Sequence, residues 1–205
     1  MIAKHFKMLA TLALAVLCAG PVAAQPAPDP SWPCIQRKVP RLSPGLMWAR
    51  PLPQIKLDAE TAAEAADVVS RLVLRRAPPE EARPALDAFA QRHGDGPEMM
   101  GYLFSESFER LSQLRGRIMR GIEDYAESQI ALSARIERNR REMERLMAAP
   151  EPDFDRVDAL ERQVMWDERV FADRQQSLTY VCETPVLLEK RLYAISRMLE
   201  ARIGG

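Results

Sequence analysis

The 205-residue chain has the composition of a folded protein, with 47% hydrophobic and 28% charged residues and no net charge at neutral pH. Aromatic residues make up only 6%, and good helix formers such as Ala, Leu, Arg and Glu fill its periodic segments, which favours an all-α fold. The neutral charge argues against nucleic acid as a partner, because nucleic-acid binders carry a basic field.

Residues 1–24 have the three-part layout of a secretory signal peptide. Lys4 and Lys7 precede an apolar run over residues 8–18, and residues 22–24 offer a small-residue cleavage site. The run is shorter than the roughly 20 residues that span a bilayer. We therefore expect cleavage after residue 24, no stable membrane span afterwards, and a periplasmic or secreted protein. Retention of the leader as an anchor is the alternative.

Two cysteines, Cys34 and Cys182, remain after this cleavage. In an oxidising compartment such a pair is expected to form a disulfide. The alternative is a redox or metal pair, but the chain has no C-x-x-C motif and its only histidine after cleavage is His93. The sequence therefore favours a structural cross-link and predicts neither a metal nor a cofactor.

Residues 25–56 form a Pro-rich segment that we call the strap. Its eight prolines, between residues 26 and 53, oppose a helix and favour extended backbone. Trp32 and Trp48 would be costly to leave in water, so we expect the strap to lie on a helical surface. The two tryptophans either dock the strap within the chain or contact a partner.

Residues 57–205 are expected to form one helical domain that begins with two short helices. The first runs from Asp58, a good N-cap, to about residue 76. The second covers about residues 79–93 and ends at Gly94. His93 lies in its last turn, where an imidazole stabilises the helix dipole, and we expect no catalytic role for it.

Residues 97–203 carry the strongest pattern, two long segments with apolar residues at heptad spacing, joined around Pro150 and Pro152. In an antiparallel pair folded at this loop, two residues at the same height have residue numbers with a nearly constant sum. A sum of about 303 matches apolar residues of one segment with apolar residues of the other, as for Leu132 and Phe171. We predict a long antiparallel coiled-coil hairpin. The two short helices should pack at its stem, which leaves a bare two-helix arm at the loop end.

The middle of this hairpin has unusual residues. Pro185 lacks the amide donor that a helix needs, so we expect a kink or break near it. Gly121 is level with Cys182 on the opposite segment, which predicts a close approach of the backbones. A disulfide from Cys34 would place the strap crossing at the same height.

Polar residues interrupt the outer part of the heptad pattern. Gln129 is level with Arg174, and Asn139 occupies an otherwise apolar row. Polar core residues commonly fix register or oligomeric state, and they can also mark where a second copy or a partner docks. Gln129, Asn139, Arg174 and the two strap tryptophans Trp32 and Trp48 are therefore our candidate partner contacts, and a homo-oligomer stays open.

The sequence has no recognisable catalytic motif: G-x-S-x-G, H-E-x-x-H, the P-loop and G-x-G-x-x-G are all missing. We expect a non-catalytic exported protein that acts as scaffold, adaptor or accessory subunit by binding envelope proteins through its arm. The alternative is a periplasmic holdase-type chaperone whose arm clasps unfolded clients. The remaining alternative is an enzyme without a recognisable motif.

Overall fold

A computed structural model describes residues 29–203, so the expected signal peptide and the first residues of the strap lie outside the described part. The helices are α1 Ala59–Leu72, α2 Arg83–His93, α3 Pro97–Met147, α4 Phe154–Ile203 and two short 3-10 helices, Pro44–Leu46 and Pro79–Ala82. No strand occurs between residues 29 and 203, which confirms the all-α class. Within the same residues no helix is long and apolar enough to cross a bilayer.

The two long helices α3 and α4 pack against each other, as expected for a hairpin. Their hydrogen bonds show that they run in opposite directions. Arg115 bonds to Glu189, and further along α3 Arg135 bonds to Asp167, which comes earlier in α4. The residue numbers of these two pairs sum to 304 and 302, close to the 303 expected from the heptad spacing.

The short helices begin and end near the residues that the sequence indicated. Asp58 caps α1, because its Oδ1 accepts hydrogen bonds from the backbone N–H groups of residues 60 and 61, both at 3.0 Å. α1 ends at Leu72 rather than near residue 76. Arg191 of α4 donates to the carbonyl oxygens of Leu72 and Ala77, each at 2.7 Å. These bonds hold the segment after α1 in turns instead of a further helical turn.

The main hydrophobic core lies at the stem of the helix pair. It joins one face of α1 and of α2 to the start of α3 and the end of α4. The largest enclosed side chains include Leu72, Phe89, Phe104, Leu192 and Leu199. The two short helices thus pack at the stem, where they close a core that two helices alone would leave open to water.

The core becomes thin towards the loop, in the part that we call the arm (residues 126–178). Its buried apolar cluster contains only Leu132, Ile136 and Val164, with three partly buried neighbours around it. Asp167 is as deeply buried as these residues. The arm is therefore held together by less apolar burial than the stem, and by more polar contacts.

The strap is anchored in the stem by Trp48. The indole is 2% exposed and stacks on Phe104, with ring centroids 4.8 Å apart. The hydroxyl of Ser196 donates a hydrogen bond to the carbonyl oxygen of Met47. Trp48 is therefore a core residue of this chain, which favours the intramolecular interpretation of this tryptophan.

The strap is also fastened near the middle of the helix pair. Cys34 and Cys182 form the predicted disulfide, with Cα atoms 5.5 Å apart and a sequence separation of 148. Arg115 adds a second link, because its Nη1 donates to the carbonyl oxygen of Val39 at 2.8 Å while its Nε donates to Glu189 at 2.7 Å. The strap thus crosses both long helices at this height.

Two expectations about this crossing are contradicted: the break near Pro185, which was the alternative to a kink, and the close approach at Gly121. α4 continues through Pro185 without a break, because Pro185 itself and its neighbours Cys182 and Leu188 are all buried, and this packing outweighs one lost backbone hydrogen bond. Gly121 does not allow a close approach either. It is exposed, and a Cβ atom there would meet nothing within 4 Å.

The close approach occurs at Gly101 instead. A Cβ atom at this position would lie 2.8 Å from Cδ of Pro53 and 3.6 Å from Cζ2 of Trp48. The strap therefore crosses α3 at a residue without a side chain, directly beside its tryptophan anchor. The glycine is needed for contact with the strap and not for contact between the two long helices.

Alanine substitutions at Gly101 and Gly121, two of the three glycines of α3, should have opposite effects. Gly121→Ala should stabilise the protein by about 0.5–1 kcal/mol, because alanine restricts the unfolded chain and touches nothing here. Gly101→Ala should destabilise it by about 1–3 kcal/mol, because the new methyl group overlaps a proline ring. Urea unfolding measures both, and stabilisation by both substitutions would contradict the strap crossing at Gly101.

Reduction of the disulfide should release only the part of the strap that precedes Trp48. Trypsin should then cleave faster after Arg37, Lys38 and Arg41, while cleavage after Lys56 stays unchanged. The free energy of unfolding should fall by about 2–5 kcal/mol, the range usual for a native disulfide. Cys34→Ser should reproduce both effects. Two titratable thiols per unreduced molecule would show that the bond is not formed.

Candidate interaction surface

The arm carries a cleft of about 600 Å³ beside the contact of α3 and α4. We call its lining the arm surface: Ser128, Ala131, Leu132, Arg135, Arg138, Trp166, Asp167, Val170 and Arg174. Helical spacing brings these side chains together, since residues three or four apart share one face of a helix. Trp166, Val170 and Arg174 are spaced by four on α4, and Arg135 and Arg138 by three on α3.

Trp166 is the most unusual residue of this surface. Its side chain is 64% exposed, although tryptophan is buried to a large extent in most folded proteins. It stands one position before Asp167, so it flanks the contact between the helices and does not enter it. The position leaves most of the indole free to contact another molecule.

Asp167, the residue after Trp166, is buried and forms an ion pair with the half-exposed Arg135. Asp167 is 1% exposed, and its two carboxylate oxygens accept from Nε and Nη2 of Arg135 at 2.8 and 2.7 Å. Gln163 donates a third hydrogen bond at 2.9 Å. These bonds, that of Arg135 above all, lower the pKa of Asp167. Its charge is therefore present at neutral pH and is compensated within the chain.

The other two arginines of the arm surface have no acidic partner among residues 29–203. Arg174 donates to the hydroxyl of Ser128 at 3.1 Å, and its guanidinium lies 5.8 Å from the ring centroid of Tyr125. This is the range of a cation–π contact. Arg138 is exposed on α3. Two uncompensated positive charges therefore flank the exposed indole.

The three polar residues predicted to contact a partner, Gln129, Asn139 and Arg174, lie at different places in the arm. Only Arg174 lines the arm surface. Gln129 is 6% exposed and donates from Nε2 to the carbonyl oxygen of Phe171 at 3.1 Å, so it bridges the two helices from within. Its Oε1 is buried without a hydrogen-bond partner. Asn139 is half-buried, closer to the loop.

The two strap tryptophans are both engaged within the chain. Trp48 lies in the stem core, as described above. Trp32 is half-buried, and its indole N–H donates to the carbonyl oxygen of Gln36 at 2.7 Å. The tryptophan that is most available to a partner is therefore Trp166, which the sequence analysis did not select. In the sequence, the only indication of its exposure is that it lies next to a heptad position and not at one.

His93 links the two short helices. Its Nε2 lies 2.8 Å from a carboxylate oxygen of Glu64 in α1, and its ring packs against Phe89. Arg92 donates to the same oxygen at 2.8 Å. Hydrogen bonds from His93 and then from Arg92 lower the pKa of Glu64. The histidine thus has a structural role at the end of α2, in addition to the dipole contact expected there.

Comparison with known proteins adds no family to this description. The sequence matches no protein-family model and shows no significant similarity to a curated protein or to a solved structure. Between residues 29 and 203 no cluster of three or more His, Cys, Asp or Glu side chains is placed to hold a metal ion. The arm surface itself has the residue types, tryptophan and arginine, that dominate binding energy at protein interfaces.

Substitution of Arg135, the half-exposed partner of the buried Asp167, should destabilise the arm. Arg135→Gln leaves Asp167 buried with a weaker set of donors, so the urea midpoint at pH 7 should fall. The double variant that adds Asp167→Asn should recover part of the loss, because no buried charge remains. Arg169→Gln, an exposed arginine without an ion pair among residues 29–203, is the control.

The pH dependence of this effect follows from the lowered pKa of Asp167. A lowered pKa contributes stability that is present above the unfolded value, 3.8, and is lost as the pH falls through the lower folded value. The difference between wild type and Arg135→Gln should therefore be full at pH 7 and shrink below pH 3.8. A difference that is constant with pH would mean that the loss does not involve the carboxylate.

Proposed function

We propose that this protein is an exported, non-catalytic scaffold or adaptor whose coiled-coil arm binds another envelope protein through the arm surface. The observation that carries the proposal is the 64% exposed Trp166 between two arginines without acidic partners. A stem with a closed core supports the arm, and the arm extends beyond it. This arrangement suits a protein that presents a binding surface at a distance from its own core.

Trp166 supplies the apolar part of such a contact. A buried tryptophan covers roughly 150–250 Å², and about two thirds of that area is still in water here. At about 25 cal/mol per Å², a partner that covers the indole would gain roughly 3 kcal/mol. This gain corresponds to about two orders of magnitude in the dissociation constant.

The arginines define the chemistry of the partner. Arg138 and Arg174 have guanidinium groups that favour carboxylates, because a guanidinium can donate two parallel hydrogen bonds to one carboxylate. The expected partner segment therefore carries acidic side chains on both sides of an apolar residue. Residues 126–147 of α3 extend roughly 33 Å at 1.5 Å per residue, so a partner can reach this surface without touching the short helices.

Export to an oxidising compartment is supported by two features. Residues 1–24 have the layout of a signal peptide, and Cys34 and Cys182 form a disulfide. Disulfides persist in the periplasm and outside the cell and are rare in the cytosol. A periplasmic or secreted location, with partners among envelope proteins, fits both.

A crosslinking pull-down from the native envelope tests this function. A scaffold should recover one or a few proteins in stable complexes, and Trp166→Ala should weaken recovery by at least tenfold. Arg138→Gln with Arg174→Gln should have a similar effect, smaller at high salt concentration. Tyr193→Ala is the matched control, since this aromatic side chain is 56% exposed on α4 at the stem. Equal recovery by wild type and Trp166→Ala would reject the proposed surface.

A holdase-type chaperone is the second candidate, and one observation favours it. Large apolar side chains on both helices of the arm and at its loop are half or more exposed: Ile130, Met147, Phe154, Met165 and Trp166. Such scattered side chains can hold unfolded clients without a defined interface. A chaperone would suppress aggregation of unrelated proteins, recover many of them, and lose little through Trp166→Ala alone, because its contacts are shared among many residues.

A further inference from the structure

A second cleft, of about 530 Å³, lies between the strap and α3. We call it the waist cleft. Strap residues 40–42 form one wall, and the face of α3 between residues 108 and 120 forms the other. Four arginines line it: Arg41, Arg115, Arg117 and Arg120. It lies outside the arm surface, so it is a separate candidate site.

The waist cleft has an excess of positive charge. Arg115 is 4% exposed and is compensated by Glu189. Arg41, Arg117 and Arg120 form no ion pair with any group of residues 29–203. The one carboxylate in the lining, that of Glu109, accepts a hydrogen bond from Gln113. Three arginines therefore face one acidic group, which leaves at least two positive charges without compensation.

One row of α3 residues shapes the floor of the cleft. Ser112, Gly116 and Arg120 are spaced by four and lie on the same face of the helix. A Cβ atom at Gly116 would be 3.6 Å from Nη1 of Arg120, so the guanidinium lies back along α3, over the glycine. The Oγ atom of Ser112 is buried and has no hydrogen-bond partner.

We propose that the waist cleft binds the phosphate group of a phosphate ester. A phosphate ester offers several peripheral oxygens, which match guanidinium groups that come from two separate segments of the chain. A carboxylate has only two oxygens and would leave part of this donor set unused.

The apolar part of the lining indicates what the phosphate is attached to. Pro40, Leu42 and Phe108 lie beside the arginines, and they favour carbon groups over further charge. Both a soluble phosphate monoester and the headgroup of an anionic phospholipid fit this chemistry. Arg41 belongs to the strap and the other two arginines belong to α3, so the bound ester would link the strap to the helix between its existing ties at Val39 and Trp48.

Direct binding measurements on the purified, oxidised protein test the proposal. Isothermal titration with inorganic phosphate and with glycerol 3-phosphate covers the soluble form. Co-sedimentation with phosphatidylglycerol vesicles, against phosphatidylcholine vesicles, covers the lipid form. We expect saturable binding of one phosphate group per chain, tighter for an ester than for inorganic phosphate. Binding to vesicles alone would identify a lipid headgroup, and binding in solution alone would identify a soluble ester.

A pair of double variants with equal charge change decides whether the waist cleft is the site. Arg117→Gln with Arg120→Gln should weaken binding at least tenfold. Arg162→Gln with Arg169→Gln removes two exposed α4 arginines outside the cleft and should change affinity less than twofold. Arg41→Gln on the strap should weaken binding as well, and circular dichroism confirms that each variant folds.

Two results would overturn the proposal. One is the absence of saturable binding in both the solution and the vesicle measurements. The other is an equal loss of affinity in the two double variants, because that would mean a diffuse response to net charge. Neither result bears on the arm surface, which contains none of the substituted residues and is tested by protein recovery.

Discussion

The packing of α3 against α4 is the interaction on which the rest of the structure depends, and its character changes along its length. At the stem, two short helices and Trp48 complete it into a closed apolar core. In the arm, it rests on a small cluster of three buried apolar residues, a few further buried apolar side chains and the pair of Arg135 with Asp167. Apolar burial stabilises without regard to direction, whereas two hydrogen bonds from one guanidinium to a buried carboxylate require one geometry. The stem therefore supplies stability, and the polar contacts of the arm specify how the helices align.

The strap covers apolar surface that the pair of long helices would leave exposed. Two long helices can cover only one face of each other, and the outward face of α3 at Phe104 and Gly101 would stay in water. A Pro-rich segment needs no backbone partners within itself, so it can follow a helix surface closely. Trp48 covers the stem from outside, and the disulfide and Arg115 hold the same segment at the middle of the pair.

The sequence predicted most of the helices because their signals are local. Asp58, Gly94 and Pro97 act within one turn of the residues they cap, and heptad spacing fixes which face of each long helix is apolar. The register of the long helices followed from matching the two heptad patterns across the loop, and the disulfide followed from the number of cysteines in residues 25–205. The break at Pro185 was wrong, since the local loss of one hydrogen bond was weighed without the packing around it. Local rules fail here where contacts distant in sequence decide the outcome.

The surfaces were harder to predict for the same reason. Gly121 was selected because it is level with Cys182, whereas the close approach at Gly101 depends on the path of the strap. Of the five candidate contacts, Arg174 alone lies on the arm surface. Heptad analysis selects residues that enter the contact between helices and passes over those beside it. Trp166 and Arg138 stand beside it, so their exposure could be seen only in three dimensions.

The long separation of Cys34 and Cys182 also constrains the order in which the molecule assembles. Synthesis proceeds from the N-terminus, and Cys182 comes 148 positions after Cys34. Cys34 therefore has to wait for most of the chain to be made before its partner is present. Residues 29–203 contain no third cysteine, and therefore no incorrect bond can form inside that part of one molecule. Within residues 29–203, the only mispairing open to these two thiols joins two molecules, so dilution of the chains, rather than reshuffling of bonds, favours correct oxidation of this part.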